Sequence, residues 1–568
     1  MTVRVDFDCE MTTRDGVTLR ADVYRPDSEA PLPAILLRTP YNKAVRHVRT
    51  GGFDPISAAL QGFAFVIQDV RGRWASEGEY APVSRREGPD GFDAVEWVAA
   101  QPWCDGNVGM VGPSYESLVQ IMAAAEHPPS LRAIAPEYTS AGQSGGPALL
   151  DSILIGWVAF QALDGLGKKA AAGEPVIDDI HVVMEALADP QHAALHLPLE
   201  DMPLMRLLPS MTYADMVEAV RDATDLPVDR IEIPALVVGG WYDIDPAGTA
   251  RFYRELCSRG AAATAREQSC VVWGPWEHGM TDVGLGEKFF GMQASAEGRN
   301  LAALYFAFFA RHLKGDSSQA TPTATYFVTG HNEWREAEAW PPPTVAEYCL
   351  YLASGDDVIG TSDEGRLCPS PPEPSGSDGY VYDPMQPVPS FGGRYLKIGG
   401  SRPGPFDQQR IETRQDVLVY TSAPLTEPLE AIGNARAKLF VSSSAVDTDF
   451  VVKLCDVDLD GRSYNISDAI SRLRYRHGWE PELVEPGQIY EITLDLSPIG
   501  HAFLEGHRVR LQIASSAFPA YDRNMNTGAA EGSDAAGIKA NQRVWHGGEH
   551  QSRLELQVEP AGSRGVTS

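Results

Sequence analysis

The sequence predicts an α/β protein: a mostly parallel, doubly wound sheet, interrupted by a helical insertion and followed by a β-sandwich. Three observations predict it. Short apolar runs at 34–37, 63–67 and 108–111, typical of strands buried on both faces, alternate with helical patterns at 91–101 and 115–126. The alternation returns with runs at 235–239 and 270–273 around a helix near 249–258. Finally, the composition shifts twice. From about 140 to 230 the chain is rich in Ala and Leu at helical spacing. Beyond the three prolines 341–343, β-rich segments at 417–420, 437–441, 450–454, 489–494, 508–513 and 554–558 are separated by turn residues. A Pro/Ser/Gly-rich stretch, 368–379, reads as a loop or linker. The expected division is an α/β domain over 1–140 and 231–345, a helical cap over 141–230, and a sandwich over 346–568.

Composition narrows the partners. The chain has 568 residues, with 47 Lys and Arg against 77 Asp and Glu, a formal charge of −30. Phosphate backbones and anionic bilayers need a basic footprint, so no nucleic acid and no membrane partner is expected. Hydrophobic residues make up 43% and charged residues 22%, the balance of a folded globular protein. The seven cysteines are scattered without a C-x-x-C pair, which fits free thiols in a reducing compartment. The first residues carry charges where a secretion signal needs an apolar run, and no apolar stretch reaches bilayer length. The expected location is the cytoplasm.

The chemistry centres on Val108-Gly-Met-Val-Gly112-Pro-Ser114-Tyr115-Glu-Ser117. A strand enters a sharp turn carrying a serine and leaves as a helix, the setting of a nucleophile elbow. The helix N-terminus adds free N–H groups and a positive dipole end. Glu116 occupies the place of the second glycine in the generic G-x-S-x-G, so by itself Ser114 reads equally well as a helix cap. Two downstream segments change that balance. Val237-Val-Gly-Gly-Trp-Tyr-Asp243 and Val272-Trp-Gly-Pro-Trp-Glu-His278 each end an expected strand with a candidate catalytic group. A serine nucleophile needs a base, and the base an orienting carboxylate. The order Ser114, Asp243, His278, each after a strand, is that of α/β-hydrolases.

Longer motifs carry a resemblance. Arg38-Thr-Pro-Tyr41-Asn-Lys43, Gln68-Asp-Val-Arg-Gly-Arg-Trp-Ala-Ser-Glu-Gly-Glu-Tyr80 and Trp103-Cys-Asp-Gly-Asn-Val-Gly-Met110 resemble the N-terminal signatures of CocE/NonD-type serine hydrolases, the group of bacterial cocaine esterase and X-Pro dipeptidyl-peptidases. Tyr382-Asp-Pro384, the segment 442–450 and the segment 518–528 extend the resemblance through the C-terminal half. It implies an α/β-hydrolase with an inserted helical cap, plus a C-terminal β jelly-roll sandwich. It implies Ser114 as nucleophile, His278 as general base and Asp243 as its orienting acid. Tyr41 is expected to donate its hydroxyl to the oxyanion, with the Tyr115 N–H as second donor, and Trp157 is expected to contact the acyl group. The sequence departs from this pattern twice. Ser117 replaces a glycine of the elbow, and Asp245 stands where an acyl-pocket aromatic is expected. Asp245 reads as a solvated loop acid, as a carboxylate facing a polar or cationic substrate group, or as a rival to Asp243.

Two metal-like motifs are declined. His546-Gly-Gly-Glu549-His550 matches a zinc motif that needs a helix, which two adjacent glycines oppose. Asp456-Val-Asp458-Leu-Asp460-Gly461 begins like a calcium loop but has Ser467 at its twelfth position, and it reads as a hairpin turn. The chemistry calls for no cofactor and no metal. The expected function is hydrolysis of a small-molecule carboxylic ester through an acyl-enzyme. The alternatives are an amide or peptide substrate (X-Pro dipeptidyl-peptidase or β-lactam acylase type), acyl transfer by the same triad, and a non-catalytic binding protein built on the jelly roll. A homodimer is the expected assembly.

Overall fold

The computed structural model describes residues 2–28, 30–45, 53–82, 84–139, 151–207, 212–223, 225–279, 283–319, 321–354, 365–373, 375–396 and 402–560. An N-terminal hairpin, β1 Val3–Thr12 and β2 Thr18–Pro26, leads into β3 Leu32–Thr39. Then follow α1 Pro55–Leu60, β4 Ala64–Asp69, α2 Glu87–Ala99, β5 Cys104–Pro113, α3 Tyr115–Ala125 and β6 Leu131–Glu137. Helices α4 Asp151–Ala171, α5 Ile177–Ala188, α6 Pro190–Ala193 and α7 Tyr213–Ala223 intervene before β7 Leu236–Gly240. Next come α8 Pro246–Arg259, α9 Ala263–Gln268 and β8 Cys270–Gly274. A two-stranded ribbon (β9 Gly284–Leu285, β10 Lys288–Phe289), α10 Leu301–Lys314, β11 Ala324–Val328 and β12 Glu333–Ala337 complete this half.

The first sheet runs β1-β2-β4-β3-β5-β6-β7-β8-β11-β12. From β4 to β11 every neighbouring pair is parallel, while β1, β2 and β12 add antiparallel edges. The central strands are Val- and Ile-rich and buried on both faces because helices cover both sides. One layer packs Leu36, Val66 and Met110 under α2 and α3. The opposite layer packs Ile35, Phe65 and Val111 under α10. The four helices between β6 and β7 enclose their own cluster of Ile155, Val158, Ala162, Leu166 and Val183, to which the second domain adds Phe518.

The second sheet contains β13 Ala346–Ala353, β14 Gly365–Cys368, β15 Gly376–Tyr382, β16 Leu418–Ser422, β17 Leu429–Ser443, β18 Asp449–Val457, β19 Ser463–Arg472, β20 Tyr490–Phe503, β21 Arg508–Ala514, β22 Ala540–His546 and β23 Arg553–Glu559. It folds into the jelly-roll sandwich around Leu352, Leu439, Phe450, Ile513 and Leu556. The stretch 368–379 is a loop within the second sheet, between β14 and β15, and not a linker between domains. Ser377, Asp378 and Gly379 pair with Trp545, Val544 and Arg543, so its last four residues are already strand β15. Asp458 and Arg462 close the β18–β19 hairpin, with the Asp458 N–H donating to the Arg462 carbonyl at 2.9 Å. His546 ends β22 against Asp378, whereas His550 lies beyond the strand against the Phe440 ring, so the two share no helical face. Among the described residues no helix is long and apolar enough to cross a membrane.

Candidate active site

The site gathers at the C-terminal ends of the parallel strands, where open α/β sheets place their ligands. Ser114 follows β5 at φ +60°, ψ −122°, a conformation an L-residue adopts only where its surroundings enforce it. Its N–H is tied to the Glu137 carbonyl of β6 at 2.9 Å, and its own carbonyl accepts the N–H groups of Ser117 and Leu118. The turn also needs Gly112. Its φ is +146°, and a Cβ there would lie 2.5 Å from Glu116 Cβ. The serine side chain makes no cap bond to its helix and is partly exposed, which leaves the hydroxyl for other chemistry.

Asp243 and His278 meet because the ladder between β7 and β8 continues past the strands. The Trp241 N–H donates to the Gly274 carbonyl and the Tyr242 N–H to the Trp276 carbonyl, both at 3.0 Å. Gly240 permits the approach, since a Cβ there would sit 2.4 Å from the Trp276 oxygen. Just beyond this pair, His278 Nδ1 is 2.6 Å from Asp243 Oδ1. That carboxylate is fully buried and also accepts the Ile244 N–H at 2.7 Å. A buried carboxylate on Nδ1 fixes the tautomer and leaves Nε2 to take up a proton. The Tyr138 ring, at the end of β6, backs the imidazole with ring centroids 5.4 Å apart. Burial raises the Tyr138 hydroxyl pKa well above its ordinary value.

Tyr41 follows β3, and its backbone is tied to the elbow. The Tyr41 N–H donates to Thr39 Oγ1 at 3.0 Å, and that hydroxyl donates to Glu116 Oε1 at 2.7 Å. Glu116, which breaks the generic motif, is thus fully buried and links the Tyr41 loop to the serine turn. Trp157 projects from α4, and its Nε1–H donates to the Tyr41 hydroxyl at 3.3 Å. Tyr115 is the first residue of α3, so its N–H lies in the turn where a helix supplies no acceptor of its own. Its hydroxyl donates to Glu87 at 2.7 Å, and Arg38 holds the other oxygen of that carboxylate at 3.1 Å. Ser117 faces Thr139, their hydroxyl oxygens 2.7 Å apart, so the side chain that replaces the family glycine is accommodated by a bond.

Asp245 corrects an expectation. It is 4% exposed, not a solvated loop acid. Its Oδ1 accepts the Gly248 N–H at 2.8 Å and caps α8. It is not the partner of His278; Asp243 is. Burial pushes its carboxyl up to about 7, opposed by the Gly248 bond and by the field of Arg394 from the sandwich. The structure therefore brings Tyr41, Trp157 and Tyr115 into one packed cluster and Asp243 and His278 onto neighbouring strand ends, and turns Asp245 to a capping task. Thr39, Glu116, Ser117 and Tyr138 were not singled out as site residues by sequence. Only Glu116 and Ser117 left a trace there, as departures from a pattern. Among the described residues, no group of three or more His, Cys, Asp or Glu side chains could hold a metal ion.

A serine under backbone strain at the end of β5 and an acid–imidazole pair at the ends of β7 and β8, on a parallel sheet with a helical cap, are the arrangement of the α/β-hydrolase class. Residues 15–280 match the X-Pro dipeptidyl-peptidase (S15 family) profile, and residues 317–555 match the X-Pro dipeptidyl-peptidase C-terminal non-catalytic domain. The cocaine esterase of Rhodococcus sp. (strain MB1 Bresler) is 37% identical over 564 residues, covering 96% of this chain and 97% of that protein. Two solved structures superpose with a TM-score of 0.76, each covering 98% of this chain and 96% of its own. They are an aminopeptidase from a marine sediment Thaumarchaeota archaeon, 25% identical, and an α-amino acid ester hydrolase, 26% identical. The chain belongs to this family of serine hydrolases, the CocE/NonD-type relatives of the X-Pro dipeptidyl-peptidases.

Proposed function

We propose that this chain hydrolyses small carboxylic esters through an acyl-enzyme on Ser114. The observation that carries the reading is the 2.6 Å contact between His278 Nδ1 and the buried Asp243 carboxylate, at the ends of adjacent strands on the sheet that also presents Ser114. Ser114 Oγ bonds to the ester carbonyl carbon as His278 Nε2 takes the serine proton. The carbonyl π pair moves to oxygen, where the Tyr41 hydroxyl and the Tyr115 N–H donate to the oxyanion. Collapse breaks the bond to the alcohol oxygen, which leaves with the proton held by His278. Water then gives its proton to His278, attacks the acyl carbon, and frees the acid and Ser114 by the same steps in reverse.

An ester is favoured over a substrate bearing a free amine. A carboxylate receptor for an ammonium must be presented to the site, and of the candidates in the sequence, Asp245 and the acidic residues of the helical cap, Asp245 is committed to the α8 cap and feels the field of Arg394. The family name and the aminopeptidase relative keep the amide reading as the alternative. Turnover of p-nitrophenyl acetate compared with an Ala-Pro anilide separates them. The ester reading expects kcat/KM for the acetate to exceed that for the anilide; the reverse order would overturn it. The unpaired cysteines support a reducing, cytoplasmic setting. We propose a homodimer as the working assembly; sedimentation as a monomer would refute it.

A further inference from the structure

We propose that Trp157 is a positioning residue for the oxyanion donor, acting through the hydroxyl of Tyr41, and that the Arg73–Trp74 turn holds the two in register. This role rests on the triad reading above. The direction of one bond carries it. The indole Nε1–H lies 3.3 Å from the Tyr41 hydroxyl oxygen. Indole nitrogen is a donor with no acceptor capacity, so in this pair the phenol oxygen must accept. The phenol proton therefore points away from Trp157. A hydroxyl that accepts a hydrogen bond is also polarised into a better donor. This is the state an oxyanion donor needs before the substrate arrives.

The geometry around the pair is built. Trp157 belongs to the cap helix α4, and Tyr41 to the loop after β3. Both are attached to one turn of the hydrolase domain. Arg73 Nε and Trp74 Nε1 each donate to the Pro40 carbonyl, at 3.1 and 2.9 Å, immediately before Tyr41. The same Arg73 donates from Nη1 to the Gln161 carbonyl of α4 at 2.9 Å, one turn beyond Trp157. Asp164, a further turn-length along α4, accepts the Trp74 N–H at 3.1 Å and Lys168 Nζ at 3.0 Å. Lys168 reaches on to the Gly72 carbonyl at 2.9 Å. Arg73 and Asp164 are almost fully buried, so these contacts are poorly screened by solvent. Phe160, on the next turn of α4, presses on the Tyr41 ring at 5.9 Å between centroids. One turn therefore holds both the backbone that carries the phenol and the helix that carries the indole.

A tryptophan that only lined the acyl pocket would bind ground state and transition state alike and would change KM. A tryptophan that acts through Tyr41 changes kcat, and only while Tyr41 has its hydroxyl. The test is a double-mutant cycle on p-nitrophenyl ester turnover with Tyr41→Phe, Trp157→Phe and the pair. Trp157→Phe is expected to lower kcat about fivefold, the worth of one hydrogen bond, with KM held within about twofold. In the Tyr41→Phe background the same substitution is expected to change kcat by less than about twofold. Equal losses in both backgrounds, a change confined to KM, or no change at all would each overturn the proposal. Repeating the cycle with Trp157→Leu, which disturbs packing differently, guards against a folding defect in one pair. Full activity in Ser114→Ala would instead sink the triad reading, whatever the cycle shows.

Discussion

At the residue scale, Asp245 carries a pH signature of its own. An ordinary aspartate starts from 3.8, and in the fold this one is raised to about 7 by burial. At pH 6 the fold therefore holds a proton that the unfolded chain has released. Its contribution to stability is complete below about pH 4 and is lost as pH rises through about 7. Asp245→Asn keeps an acceptor for the Gly248 N–H and abolishes the ionisation. Thermal melting from pH 5 to 8 should show the wild type losing ground to the variant by a few kcal/mol, because each pH unit over which only the fold keeps the proton costs about 1.4 kcal/mol. Parallel melting curves for the two proteins would refute the assignment. The sequence singled out this residue because an acid stood where an aromatic was expected. Its task was not legible, because capping depends on where α8 begins, and the chain pattern put that start near 249 when Pro246 opens it. The places of Ser114, Asp243 and His278 just after β5, β7 and β8 were legible because each follows a short apolar run. Tyr138 was not, since nothing in its neighbourhood marks a ring that must lie against an imidazole about 140 residues away.

At the scale of elements, the loop after β3 and the elbow after β5 are joined through one hydroxyl. Thr39 donates to Glu116 and accepts from the Tyr41 N–H. Thr39→Val fills the same space and leaves a buried carboxylate and a partly buried amide each without that bond. A loss of roughly 2–5 kcal/mol in stability is expected. A lower kcat is expected too, as the Tyr41 loop gains freedom. Chemical denaturation and steady-state kinetics check both; an unchanged kcat would show that the link does not hold the tyrosine. The elements themselves were unevenly legible. The apolar runs at 34–37, 108–111 and 270–273 lie within β3, β5 and β8, because strands covered on both faces must be apolar throughout. Strand β19, Ser463-Tyr-Asn-Ile-Ser-Asp-Ala-Ile-Ser-Arg472, escaped that reading. It is buried along its length yet largely polar, because Asn465, Ser467 and Asp468 bond to neighbouring loops and strands.

For the whole molecule, the two sheets are joined by buried charge. Arg335 of β12 donates to Glu430 of β17 at 2.6 Å and to Glu559 of β23 at 3.1 Å. Arg335→Ala would leave these carboxylates buried without their guanidinium, at a cost of about 3–5 kcal/mol. Calorimetry is expected to show a lower melting midpoint; an unchanged midpoint would mean that the domains do not depend on this pair. The charge of −30 acts at the same scale. Matched cationic and anionic esters should differ in kcat/KM at low salt in favour of the cation, with the gap closing as salt screens the field. Equal values at low salt would reduce the charge to a matter of solubility. The sequence showed the two-domain layout through its change from alternating elements to short strands. It did not show the junction, because Arg335, Glu430 and Glu559 are ordinary charges until the sheets meet.

Everything proposed for the chemistry depends on Ser114 being the nucleophile, activated by the His278–Asp243 pair. Peptide mass spectrometry after treatment with a fluorophosphonate tests this most directly. One adduct is expected in the folded wild type, on Ser114, absent from Ser114→Ala and formed far more slowly in His278→Ala. A folded wild type that takes no adduct, or takes it on another residue, would contradict the assignment.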